Sequence, residues 1–286
     1  MDYENRQAPE GINTAAEHPL RLFLRLVLAA VALLLIIVLV LQFSGGWLAK
    51  RIPFRTEQAI IEKMGIDFGG EADSAEILDY LNSLASRLLT AMPRPEGLDV
   101  VVHYSSDETF NAFATIGGNL LFYRGLLERI PHENALAMVL AHEIAHVLHR
   151  DPVAGLGGGV ASTVAIAVLT GNAGTGVAGE VIGRAGVFGG MEFTRRMERE
   201  ADRAGLAAVA AVYGHVAGAE ALFQLVAEQR GESKVPSWLG RFTSTHPLDA
   251  DRIRSIARHA EESGWSNEGA ITPLPAGFDA WLETGS

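Results

Sequence analysis

The sequence predicts an α+β domain, mostly helical, preceded by one transmembrane helix. Three observations predict it. Between Arg25 and Lys50 no residue is charged and Leu26 to Leu41 is apolar throughout; Gln42 and Phe43 extend the run to the length that crosses a hydrocarbon core of about 30 Å. Downstream, apolar residues recur at helical spacing in stretch after stretch. Only two short segments, Leu98–Tyr104 and Asn111–Tyr123, carry strand patterning.

Residues 1–20 read as a short tail and residues 21–46 as the anchor, with lipid contact through residues 26–43 and Trp47 at the interface. A cleaved signal peptide would have an apolar stretch of about 7–15 residues ending at a small-x-small site, and no Ala-x-Ala follows. Charge does not orient the helix, because Arg6, Arg21 and Arg25 on one side face Lys50, Arg51 and Arg55 on the other. Asp2, Glu4, Glu10 and Glu17 argue against a mitochondrial transit peptide, which is acid-poor.

Residues 47–286 are expected to form one domain. Ser74 to Met92 places Ile77, Leu78, Leu81, Leu84, Ala85, Leu88 and Leu89 on one stripe of a helix. Leu98–Tyr104 follows as a strand, then a strand-turn-strand over Asn111–Tyr123 that bends at Gly117-Gly118. An edge strand in that position either accepts an extended peptide as an added strand or is a structural edge with no further role. Beyond Pro131 comes a charge-poor helix over Ala135–Leu148. Helices are expected again at Glu192–Tyr213, Ala217–Arg230 and Asp249–Ser263, with Pro236 and Pro247 as breakers.

Residues 152–190 are Gly- and Ala-rich, with Glu180 and Arg184 as their only acid and base. A lid or membrane-facing segment, a buried helical hairpin and a spanning hairpin all fit this composition. The glycines and charges weigh against the last.

A net charge of −11 and the lack of a basic, aromatic-interleaved cluster argue against nucleic acid as a partner. The absence of cysteine excludes disulfides, thiol catalysis and a Cys-ligated metal site.

The chemistry concentrates at His142-Glu143-Ile144-Ala145-His146. On a helix, two histidines four apart share a face and can hold one Zn²⁺, with the adjacent Glu143 beside them as general base. A catalytic zinc takes a third protein ligand and leaves one position open. Glu198 is the best third donor. It shares a helix face with Asp202, so one carboxylate can bind metal while the other orients an imidazole. The same spacing also suits a solvated face of Arg–Glu pairs. His149, Arg150, Tyr213 and His215 are conceivable oxyanion donors, and nothing in the sequence selects one.

HEIAHVLHRD followed by EREADRAGL resembles the HtpX/BepA/CAAX-prenyl-protease type of membrane-linked zinc metallopeptidase, an HExxH-plus-ExxAD family. Three further stretches agree: Asn111-Ala112-Phe113-Ala114 with Gly117-Gly118, Arg124-Gly125-Leu126-Leu127, and Ser244-Thr245-His246-Pro247 with Arg252-Ile253. The resemblance spans roughly Thr56 to His259. It implies a zincin-like domain with a small β-sheet beside the HExxH helix. It also implies one Zn²⁺ on His142, His146 and Glu198, Glu143 as catalytic base, and Asp202 as the carboxylate behind a ligand. His246 matches a histidine that in some members approaches the metal as a gate or fourth ligand. The implied activity is a membrane-anchored metalloendopeptidase in envelope protein quality control, acting on unfolded or misassembled envelope proteins. The implied location is the inner membrane, with the catalytic domain periplasmic. A chaperone-like assembly factor that keeps the zinc fold without proteolysis is the rival, weakened because Glu143 is intact. A prenyl-protein protease lacks support, because one spanning helix cannot build a multi-helix membrane chamber.

Overall fold

Helix α1 (Pro19–Ala49) opens the chain, and its 31 residues reach about 46 Å at 1.5 Å per residue, longer than a bilayer core. In the computed structural model, which describes residues 19–64, 75–157, 193–231, 242, 245, 246 and 250–283, its apolar side chains from Leu20 to Val40 are largely exposed. Among the described residues it is the one helix long and apolar enough to cross a membrane. Its last turn behaves differently. Ala49 is buried, and a Cβ on Gly46 would lie 3.0 Å from the Ala154 carbonyl oxygen.

Helix α2 (Phe54–Met64) was not expected from the sequence. Its inward face is Phe54, Glu57 and Ile61, a helical repeat in which the middle member is charged. That charge obscures the pattern. Helix α3 (Ala75–Leu89) buries Ile77, Leu81, Leu84, Ala85 and Leu88, the stripe read from the sequence.

Strands β1 (Val101–Ser105), β2 (Ala112–Ala114) and β3 (Asn119–Tyr123) form one sheet in the order β1-β3-β2. β1 runs parallel to β3, with Val101 opposite Asn119, and β2 antiparallel, with Ala112 opposite Phe122. The expected bend between β2 and β3 falls where it was read. Gly117 and Gly118 have φ of 72° and 84°, and a Cβ on Gly118 would lie 2.1 Å from the Asp99 carbonyl oxygen, so side chains are excluded twice over. The first strand starts at Val101 rather than Leu98.

After the short α4 (Arg124–Leu127) comes α5 (Glu133–Leu148), capped by His132, whose Nδ1 accepts the Ala135 N–H at 3.2 Å. Every residue from Glu133 to Val147 is buried, which is why this helix carries few charges and no amphipathic stripe. Glu133 does more than favour the helix dipole. Its carboxylate accepts from Tyr80 Oη at 2.9 Å, Tyr213 Oη at 2.7 Å and Arg87 Nη2 at 3.0 Å, tying α3, α5 and the next helix together.

That helix, α6 (Arg195–Tyr213), is capped by Thr194 at its start and by left-handed Gly214 at its end. It packs tightly on α5 because Gly205 faces the zinc-motif helix; a Cβ there would meet the His142 amide nitrogen at 3.1 Å. Helices α7 (Ala221–Gly231), α8 (Ala250–Glu262) and α9 (Phe278–Glu283) complete the domain. One core cluster runs through α3, the sheet, α5 and α6. Residues 151–157 are helical, while the rest of the Gly/Ala-rich segment read over 152–190 lies outside the described residues.

Candidate active site

Two helices and the segment at His246 deliver side chains to one buried point. The four-residue spacing on α5 puts His142 and His146 on one face, with Nε2 atoms 3.1 Å apart. Glu198, in the first turn of α6, brings Oε1 to 3.2 Å from His146 Nε2 and Oε2 to 3.6 Å from His142 Nε2. His246 Nδ1 lies 3.4 Å from His142 Nε2 and 3.2 Å from Glu198 Oε1. One donor atom from each of the four residues falls within 4.8 Å of the others, and all four residues are buried.

The outward nitrogens of the two α5 histidines each face a carboxylate. His142 Nδ1 lies 3.0 Å from Asp202 Oδ1, and His146 Nδ1 lies 3.0 Å from Asp151 Oδ2. A proton on each Nδ1 leaves both Nε2 lone pairs pointing at each other and at Glu198. Only a cation or protons can hold such a cluster together. The separations suit a metal, since tetrahedral donors 2.0–2.1 Å from zinc lie about 3.3 Å apart.

Charge makes the same point. Glu143, Asp151, Glu198 and Asp202 are buried and Arg252 and Lys50 pair with members of this set. With the imidazoles neutral, the state in which they can donate to a metal, four carboxylates against two cations leave a net −2, which a divalent ion would cancel. The proton affinities respond to this field. Burial pushes His142 down, whereas at His146 burial is outweighed by Asp151 and Glu198, and the group is pushed up to about 9. Burial raises Glu198 and Asp202, but the surrounding histidines hold Glu198, and Arg252 holds Asp202, below the usual carboxylate range.

Glu143 stands beside the four donors. Its Oε2 accepts the Ala114 N–H from edge strand β2 at 2.8 Å, and its Oε1 lies 3.4 Å from His246 Nε2. The carboxylate is therefore aimed by the sheet rather than by its own helix. β2 is an edge strand whose three residues are all buried, with α5 packed against it.

Three contributors escaped the sequence. Asp151 ends the quoted HEIAHVLHRD stretch and reaches back to His146 because Arg150, at φ 64°, turns the chain at the end of α5. Arg252 forks onto Asp202, Nε to Oδ2 at 2.6 Å and Nη2 to Oδ1 at 2.8 Å, and pairs with Glu198. Phe193 stacks on the His146 ring, centroids 4.0 Å apart and planes 15° apart. Arg252 was visible as part of a motif, without a role; Phe193 gave no signal. Of the conceivable oxyanion donors, Tyr213 donates to Glu133, Arg150 Nη2 donates to the Ile52 carbonyl and pairs with Glu57, and His215 Nδ1 accepts the Ala217 N–H.

A mostly helical domain with a small sheet, whose HExxH helix meets an acidic residue from a second helix, defines the class of HExxH metallopeptidases. A model of the family described as peptidase family M48 matches residues 74–260. The chain belongs to that family. It is 33% identical over 199 residues to a putative beta-barrel assembly-enhancing protease of Vibrio cholerae, an overlap of 64% of this chain and 39% of that protein. It is 28% identical over 200 residues to the beta-barrel assembly-enhancing protease of Escherichia coli, covering 65% and 39%. It is 29% identical over 188 residues to the mitochondrial metalloendopeptidase OMA1 of Schizosaccharomyces pombe, covering 64% and 53%. The chain thus spans between 39% and 53% of the length of these relatives.

Proposed function

We propose that the protein is a membrane-anchored zinc metalloendopeptidase, with zinc held by His142, His146 and Glu198 and peptide hydrolysis assisted by Glu143. The observation that carries this is the convergence of one donor atom each from His142, His146, Glu198 and His246, all buried and within 4.8 Å of one another, which fits a divalent cation. Bound there, zinc supplies Lewis acidity to the scissile carbonyl and lowers the pKa of a water. Glu143 receives the proton of the attacking water and returns it to the leaving amine. The Ala114 N–H keeps that carboxylate aimed throughout. Asp202 and Asp151 fix the tautomers of His142 and His146, so that each Nε2 stays free to donate its lone pair. An extended substrate pairing along the β2 edge would pass beside Glu143.

His246 is read as a gate. As a fourth protein donor it fills the position a reacting water needs, so its withdrawal opens the site. The domain organisation proposed is an N-terminal tail, an anchor over residues 21–46 and a catalytic unit from residue 47 onward. Relatives named beta-barrel assembly-enhancing proteases support a reading in which the substrates are unfolded or misassembled envelope proteins; the location read with it is the inner membrane, with the catalytic domain periplasmic.

The test is cleavage of an unfolded outer-membrane β-barrel polypeptide by the purified full chain in detergent, with and without a chelator. Cleavage that stops with chelator and returns with zinc is expected. A zinc-loaded chain that binds this polypeptide without cutting it would instead support a chaperone-like assembly factor.

A further inference from the structure

The residue that follows helix α1 reaches the carboxylate behind His146. Asp151 is 1% exposed, and its two oxygens are divided between partners. Oδ2 lies 3.0 Å from His146 Nδ1, while Oδ1 accepts from Lys50 Nζ at 3.2 Å. Lys50 Nζ also donates to the His149 carbonyl at 2.9 Å, at the C-terminal end of α5, where unpaired carbonyls favour a cation. Lys50 is the first charged residue after the apolar run of α1.

Close packing brings it there. The last turn of α1 lies against residues 151–157 so tightly that a Cβ on Gly157 would stand 2.5 Å from the Ala49 Cβ and 2.6 Å from the Gly45 carbonyl oxygen. The residues after Lys50 clamp the same corner. Arg150 adopts a left-handed φ of 64°, unfavourable for a residue with a side chain. Its guanidinium donates to the Ile52 carbonyl, pairs with Glu57 and lies 3.9 Å from the Phe54 ring centroid. The turn that puts Asp151 under His146 is therefore held by the juxtamembrane segment.

We propose that Lys50 is a positioning residue for the metal centre: by holding Asp151 Oδ1 it fixes the carboxylate that orients His146, so metal retention depends on the docked end of the membrane helix. A buried carboxylate held at one oxygen can turn about its Cβ–Cγ bond, whereas one held at both presents a single defined oxygen to the imidazole. This inference rests on the zinc-site assignment above.

The test measures the zinc dissociation constant of the full chain in detergent by chelator competition, together with the absorption bands of the cobalt-substituted protein. Lys50→Met should raise the constant about three- to tenfold, less than the roughly 10–100-fold typical of losing the orienting carboxylate itself, and should shift the cobalt bands. Lys50→Arg keeps the cation and restores both. Gly157→Ala pushes the two helices apart without touching a ligand and should weaken zinc binding in the same direction. The melting temperature of the metal-free protein should be the same in the Met and Arg variants, which separates positioning from general destabilisation. An unchanged constant in Lys50→Met, or equal losses in the Met and Arg variants, overturns the proposal. His146→Ala is the control: unaltered zinc affinity there defeats the zinc-site assignment itself, whereas a large loss there with none in Lys50→Met defeats only the coupling.

Discussion

Replacing Arg252 by methionine removes a guanidinium that bridges Glu198 and Asp202 of α6. Arg252 is 4% exposed and bonded twice to Asp202, itself 3% exposed, while pairing with Glu198, which is fully buried. Methionine keeps most of the stem volume and leaves both carboxylates without that cation. Removing one partner of a buried, hydrogen-bonded pair destabilises by about 3–5 kcal/mol, because the remaining charge stays out of water. At about 2–4 °C per kcal/mol for a domain of this size, the melting temperature of the metal-free protein should fall by roughly 6–20 °C. Unfolding of the detergent-solubilised full chain, followed at one fixed scan rate, measures it. Zinc replaces part of the lost positive charge, so the fall should be smaller in zinc-loaded protein. Arg252→Lys should lie between, since an ammonium cannot reproduce the fork. A metal-free shift under about 3 °C refutes the reasoning, because it corresponds to about 1 kcal/mol, no more than an exposed pair contributes.

Glu143→Gln retains an oxygen for the Ala114 N–H and loses the base, so turnover should drop about 10²–10⁴-fold, with zinc content and melting temperature unchanged; near wild-type turnover in zinc-replete protein would dispose of the mechanism. His246→Ala should keep zinc on the other three donors and raise basal cleavage of an unstructured substrate or of the chain itself. If zinc is lost in step with His142→Ala, His246 is an ordinary ligand and the gate fails. Burial and the Glu133 carboxylate raise the phenols of Tyr80 and Tyr213 above their ordinary value near 10. The folded protein then keeps protons the unfolded chain releases, so this contribution is complete below about pH 10 and is lost as pH rises toward the folded values. Unfolding free energy should decline above about pH 10, less steeply in Tyr80→Phe/Tyr213→Phe; parallel declines would remove the two phenols as the cause.

Residues whose role depends on local periodicity were legible in one dimension. The spacing of His142 and His146, the shared face of Glu198 and Asp202, the stripe of α3 and the glycine bend before β3 all follow from helical repeat or φ sign, and α5 reads as buried because it lacks charge. Even so, spacing left Glu198 open between a metal donor and a solvated charge face. Its complete burial, and the approach of α6 to α5 that Gly205 allows, came from tertiary packing.

What only the tertiary structure decided are contacts between segments far apart in sequence. Ala114 meets Glu143 because the sheet lies against α5; Arg252 reaches Asp202 across 50 residues; Lys50 reaches Asp151 across 101. None of these partners has a periodic signature, since an ion pair between distant segments constrains two residue types and leaves the residues around them free. The parallel pairing of β1 with β3 is hidden for the same reason, because strand patterning specifies which face is buried and not which neighbour supplies the hydrogen bonds. The sequence by itself therefore determined a helix long and apolar enough to cross a membrane, the helical class and the chemistry of the donors, each encoded in local composition and spacing, whereas the aim of every donor depended on how distant elements packed.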